Sequence, residues 1–207
     1  MAAILQEIIP TQGFEIVAHR ICEIITEEIA NQQSLQNLTE TCKVFLERIE
    51  PFTKEEDVMV TVAYRESIPE GNTQSDYQGF EMFFIDLFIS GGSEDDDFAS
   101  VVMQKKLYKY LGLIRYILSS GKMPTLGLPP GLIGGKYIKK ITLDTDYSNF
   151  GNHSNYDWAY IRFARIMFMV RIQERTDLWQ GIPLLGNDTQ IHLENTTQGL
   201  QFTFNNT

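Results

Sequence analysis

The side chains best equipped to hold a metal are three histidines and two cysteines. His19 and Cys22 sit at i and i+3, on one side of a segment with helical periodicity, but no carboxylate, second Cys or second His completes a ligand set. Zinc takes three or four such ligands, so two are insufficient. His153 and His192 fall in a polar loop and in the tail, with no partner at metal spacing. The expectation is a surface histidine beside a buried cysteine, and no metal.

Gly131-Leu132-Ile133-Gly134-Gly135-Lys136 has the composition of a phosphate-binding loop and fails its spacing. Pro130 occupies the place of the first glycine, Tyr137 replaces the hydroxyl residue that would bind magnesium, and the residues that follow read as a strand. The acidic run Glu94-Asp95-Asp96-Asp97 lacks the alternating ligands and turn glycine of a calcium loop. It reads better as the solvated start of a helix, where carboxylates meet the positive end of the macrodipole. No Gly-x-Ser-x-Gly elbow, paired-carboxylate motif or Cys/His nucleophile arrangement is present. No cofactor is implied and no catalytic residue stands out. Carboxylates that meet only in the fold leave no trace in a sequence, which keeps an enzyme with an unrecognised site as one alternative reading.

The chain has 207 residues, 43% of them hydrophobic, enough for one core plus an appendage. Its net charge of −10 and isoelectric point near 4.8 oppose a domain that grips nucleic acid by neutralising phosphates, and equally an anionic membrane surface as partner. No run of about 18 apolar residues predicts a spanning helix, and Met1 to Gly13 does not read as a secretory signal. Two cysteines suit a reducing compartment better than a disulfide framework.

The elements follow from periodicity. Phe14 to Ala30 is predicted as an amphipathic helix carrying Val17, Ile21, Ile24, Ile25 and Ile29 on one side, capped by Thr11 and ended by the polar run Asn31 to Ser34. Lys43 to Ile49 and Asp57 to Arg65 are expected to form a hairpin, followed by a Pro/Gly loop from Ile68 to Asp76. Tyr77 to Ser90 is a strand apolar on both faces: Phe83, Ile85, Leu87 and Ile89 on one, and Phe80, Met82, Phe84 and Phe88 around Asp86 on the other. A second helix runs from Ser93 to Ser119, with Met103, Leu107, Tyr110, Leu111, Ile114, Ile117 and Leu118 buried and Phe98, Val101, Val102 and Tyr108 widening that face. Lys122 to Gly135 reads as a long, functional or flexible loop and Tyr137 to Asp144 as a strand. Trp158 to Gln173 is read as a strand rather than a helix because β-branched and aromatic residues dominate it. Arg162, Arg165 and Arg171 are interspersed along it. A hairpin arm is expected around Asn195 to Gly199.

Two helices cover one face of an antiparallel sheet of roughly four to five strands, so the fold class is α+β and the second apolar face needs another cover. Candidates are the C-terminal arm, whose apolar residues Trp179, Ile182, Leu184, Leu185, Phe202 and Phe204 form the candidate oligomer interface, or another subunit. The domain expectation is residues 1–177 as an α+β domain and 178–207 as an extension or assembly arm.

The order helix, hairpin, long strand, helix, loop, strand, long strand resembles the tail-terminator and head–tail connector proteins of tailed bacteriophages. Carrying the match are Phe14 to Ala30, Asp57 to Tyr64, Gly79 to Ile89, the acidic-capped helix after Gly91-Gly92, and Tyr160 to Ile172, so that it covers residues 11 to about 175. The resemblance implies a non-enzymatic structural protein of the virion, assembled in the host cytoplasm as a homo-oligomeric ring on the order of six or twelve copies. Such a ring contacts portal, adaptor or tail proteins and lets genomic DNA pass without sequence-specific binding; no membrane is involved. The alternative is a non-viral oligomeric binding or adaptor protein.

Overall fold

The computed structural model describes residues 8–48, 56–72, 76–90, 97–129, 131–144, 161–175, 190–191 and 200–201. The chain divides into two compact units, Met1–Thr176 and Asp177–Thr207. The first unit carries helix α1 (Gly13–Gln36), strands β1 (Cys42–Leu46), β2 (Val58–Asn72) and β3 (Asp76–Ser90), helix α2 (Asp97–Ser119), and strands β4 (Ile133–Asp144) and β5 (Ile161–Arg175). Its five strands form one mixed sheet in the order β1-β2-β3-β5-β4. The class is α+β. In the second unit, β6 (Gln190–Ile191) pairs antiparallel with β7 (Leu200–Gln201).

Alternation sets which side chains enter the core. Val58, Val60 and Val62 of β2, Phe83, Ile85, Leu87 and Ile89 of β3, and Ala164, Ile166, Phe168, Val170 and Ile172 of β5 are buried on the face covered by the helices. Helix α1 packs on β1 and β2, and α2 on β3, β5 and β4. From α1 come Val17, Ile21, Ile24, Ile25 and Ile29, and from α2 the whole buried stripe expected from Met103 to Leu118. Val101, Val102 and Tyr108 do not join that stripe; each is about half exposed, because positions 101 and 108 fall on the opposite side of a helix with 3.6 residues per turn.

Several features differ from expectation. Strands β1 and β2 are parallel, with Cys42 opposite Val58 and Leu46 opposite Val62. Alternation fixes the face a residue takes but not the direction of its neighbour, and either polarity puts Cys42, Val44 and Leu46 on the core side. The turn-rich stretch from Glu50 to Lys54 lies outside the described residues. Next, the residues read as a loop from Ile68 are strand: β2 and β3 pair out to Asn72 and Tyr77. Register shifts between Tyr64 and Glu66 and between Pro69 and Gly71 absorb the residues that looked like turn formers. Finally, α1 runs past its polar stretch to Gln36. It stops at Asn37, whose left-handed φ of 51° lets the Leu38 N–H donate to the Gln33 carbonyl at 2.9 Å.

The helix ends are closed by the sheet. Helix α1 has Gln12 at its N-cap with no side-chain cap bond, Thr11 playing no such part, and the Gly13 N–H donates instead to the Glu174 carboxylate of β5. A Cβ at position 13 would collide with that carboxylate, so the close approach requires glycine. Helix α2 has no basic residue in its last turn. Lys136 of β4 supplies the charge, its Nζ donating to the carbonyls of Leu118 at 2.7 Å and Ser120 at 3.1 Å. Burial pulls the Lys136 ammonium below its ordinary pKa. The loop before β4 is anchored rather than loose: Leu126, at φ 55°, is buried, and its carbonyl accepts from Arg20 Nε at 2.9 Å.

Burial raises the Glu174 pKa above its ordinary value; the Gly13 N–H opposes the shift and the neighbouring Glu81 charge adds to it. The folded state therefore binds this proton more tightly than the unfolded state does. Stability contributed by the carboxyl is fully present below its unfolded pKa and is lost as pH rises through the folded one. A plot of unfolding free energy against pH for the native chain minus that for Glu174→Gln should fall with rising pH across that window. A flat or rising difference would contradict the assignment.

Candidate functional surface of the sheet

The face of the sheet away from α1 and α2 is the most unusual surface among the described residues. In register across β3 and β5, Phe88 faces Phe163, Asp86 faces Arg165, Phe84 faces Met167, and Met82 faces Met169. On β2, Met59, Thr61 and Ala63 continue the layer. An ion pair sits at its centre: Arg165 Nε–H donates to Asp86 Oδ1 and Nη2–H to Oδ2, both at 2.7 Å. The guanidinium also lies 4.4 Å from the centroid of the Phe84 ring, and the Arg65 guanidinium lies 5.2 Å from the same centroid. Phe88 and Phe163 pack with ring centroids 5.0 Å apart. At the β1 end, Arg48 bonds Glu56 at 2.7 Å and lies over Phe45 at 4.7 Å.

Such a layer is built from apolar side chains because a charge buried among them is tolerated only when paired with good geometry. The side chains of Asp86 and Arg165 are 11% and 19% exposed, and their bidentate fork meets that condition. Met59, Met82, Ile161, Phe163 and Met169 are buried within the single chain, while Phe80, Phe84, Phe88 and Met167 stay partly exposed. The centre of this face is thus buried, and the remaining exposure is scattered among aromatic and Met side chains.

A second polar group lies on the core side, where β2, β3 and β5 run past the start of α1. The Glu81 carboxylate, 3% exposed, accepts from Tyr77 OH at 2.6 Å and Ser67 Oγ at 3.0 Å. Burial, reinforced by Glu81, pushes the Tyr64 hydroxyl up to about 12 and raises that of Tyr77. Phe14 stacks on Tyr64 at 4.6 Å, tying α1 to the same corner. The cluster is a hydrogen-bonded structural knot that ties β2 to β3, and the Phe14–Tyr64 stack joins it to the helix start.

The residues singled out for chemistry are dispersed. His19 is exposed and Cys22 half-buried; burial raises the Cys22 thiol pKa and pushes that of Cys42 up to about 12, so neither is an activated nucleophile. Lys136 of the loop-like Gly131–Lys136 run is engaged at the end of α2, inside a strand rather than before a helix. Among the described residues no group of three potential metal ligands is assembled. His153, His192 and Glu94 to Asp96 lie outside the described residues, as do Trp179, Ile182, Leu184, Leu185, Phe202 and Phe204. Alternation alone does not reveal the Asp86–Arg165 pairing, although Asp86 is the one charge among Phe80, Met82, Phe84 and Phe88, and a charge in that setting signals a partner across the sheet.

No family model matches this chain, and no curated protein does. Among solved structures, it is similar to a chain of the virion of a native gene transfer agent particle, at 10% identity and a TM-score of 0.43, over 69% of this chain and 84% of that one. A likeness of that size carries no functional argument.

Removing Arg165 strands the Asp86 carboxylate in an apolar layer. Arg165→Ala should lower unfolding free energy by about 3–5 kcal/mol, whereas Asp86→Leu with Arg165→Met should be near neutral. Urea denaturation checks this, and equal losses in the single and double variants would show that the pair has no such role.

Proposed function

We propose that this chain is a non-enzymatic structural subunit of a tailed-phage type of virion. It forms a homo-oligomeric ring in the neck or tail that joins portal to tail and surrounds the DNA path. The observation that carries the reading is the element order α1-β1-β2-β3-α2-β4-β5, with two helices on one face of the sheet and a Phe/Met layer on the other. The sequence resemblance to tail-terminator-like proteins rests on this element order, although β1 and β2 are parallel rather than the hairpin it implies. Net charge of −10 supports it, since an acidic wall repels rather than holds a passing polyanion. No helix among the described residues is long and apolar enough to cross a membrane.

In this reading the residues after Leu178 act as an assembly arm on a neighbouring subunit or ring, with Trp179, Ile182, Leu184, Leu185, Phe202 and Phe204 as its contacts. The purified chain is expected to give a closed ring, on the order of six or twelve copies, by native mass spectrometry and negative-stain microscopy. A protein that stays monomeric across micromolar concentrations overturns the reading. Deletion of Leu178 to Thr207 should leave a folded subunit by circular dichroism and shift assembly toward smaller species; full rings from the truncated chain would remove the arm from the proposal.

A further inference from the structure

Helix α2 buries one side completely and leaves the opposite side apolar and basic. Tyr116 is 73% exposed and Tyr108 55%, with Val101 45% exposed on the same stripe. Lys105, Lys109 and Arg115 are exposed beside them. Four basic residues (Lys105, Lys106, Lys109, Arg115) against Asp97 give α2 a net charge of +3, in a chain whose total is −10. Lys106 is engaged with Asp57 at 3.6 Å, so the cations of the outer face are the other three.

The complement lies on the other helix. Glu15, Glu23, Glu27 and Glu28 against Arg20 give α1 a net charge of −3. Glu15, Glu23 and Glu27 are exposed, Glu23 also accepting from Arg20 of its own helix at 3.0 Å, and Thr26 and Ala30 keep the middle of that surface low. Tyrosine and arginine are the side chains most enriched where interfaces concentrate their energy, and phenol hydroxyls and guanidinium groups both donate to carboxylates.

Gly112 is the second, independent feature. It sits between Tyr108 and Tyr116 in the middle of α2, where glycine weakens a helix relative to alanine. A Cβ there would meet nothing within 4 Å, so no contact inside the chain requires its absence. The gap makes a notch flanked by two tyrosines, of the kind that admits another helix at close range.

We propose that the outer face of α2 docks on the outer face of α1 of a second copy of this chain, Tyr108 and Tyr116 straddling its Thr26–Ala30 surface and Lys105 and Lys109 meeting Glu23 and Glu27. The identity of the partner as another copy rests on the ring reading above. Two different surfaces meet, so successive copies can continue the contact until the circle closes.

The test uses the full chain and a charge exchange. Lys105→Glu with Lys109→Glu, and separately Glu23→Lys with Glu27→Lys, should each weaken self-association by about tenfold or more in sedimentation and native mass spectrometry. Circular dichroism should remain native for both. Mixing the two variants, or combining all four changes in one chain, should restore assembly. Gly112→Leu should keep or raise the urea midpoint while abolishing assembly, a combination that simple loss of folding cannot produce. Native-like assembly of either charge variant, or failure of the exchange to restore it, overturns the docking. If the unaltered chain forms only a dimer and the exchange rule still holds, the docking stands and the ring reading falls; if the unaltered chain forms rings indifferent to all these changes, the ring reading stands and the docking falls.

Discussion

Strands β3 and β5 are buried on both sides, and the pairing of Asp86 with Arg165 is the interaction on which that arrangement depends. A strand with apolar residues on both faces has little to hold its register, since a slip of one residue exchanges one apolar face for another. The ion pair removes that freedom. Displaced by one position, β3 would turn Asp86 into the helix-covered core opposite Ala164 or Ile166, away from the Arg165 guanidinium, which keeps its face on β5. Charges that cost free energy to bury thus exclude the shifted pairings, and the fifteen-residue register of β3 on β5 fixes where β2 and β4 must lie.

Once the sheet is in register, it positions the helices through their ends. Glu174 of β5 meets the start of α1 and Lys136 of β4 meets the end of α2, two oppositely charged groups at the two complementary helix poles. Neither helix supplies its own cap at those ends, so the helix layer is keyed to the sheet by charge as well as by apolar packing. The stacked Phe14 and Tyr64 rings and the Glu81 cluster reinforce the first of these corners.

Much of this was legible in the chain, and the omissions share a physical cause. Alternation gave the two faces of β3 residue by residue, and helical spacing gave the buried stripe of α2. Both are local signals. The parallel β1–β2 pair and the Asp86–Arg165 contact depend on how distant segments align, which spacing along one segment does not encode. Pro69 and Gly71 misled because turn formers and bulge formers are the same residues; only the partner strand decides which role they take. Asn31 to Ser34 misled because polar side chains do not stop a helix, and Gln33 is bonded to the Glu40 carbonyl and to Tyr110. Val101 and Tyr108 were assigned to the core for their type, although their angle around α2 places them outside.

The outer strands of the sheet bear on how such a chain behaves before it meets a partner. Strand β1 has five residues, and β4 is interrupted by register shifts near Gly135 and Lys140, with exposed Lys139 and Lys140 beside the second. Neither offers the long, flat row of backbone donors and acceptors on which another strand could zip. In the ring proposed above, contacts between copies would be left to side chains, which separate again when misaligned, whereas a backbone-zipped mistake would persist. A subunit built this way would accumulate at high concentration and correct its errors, so that the order of addition would be set by surface match rather than by which molecule collides first.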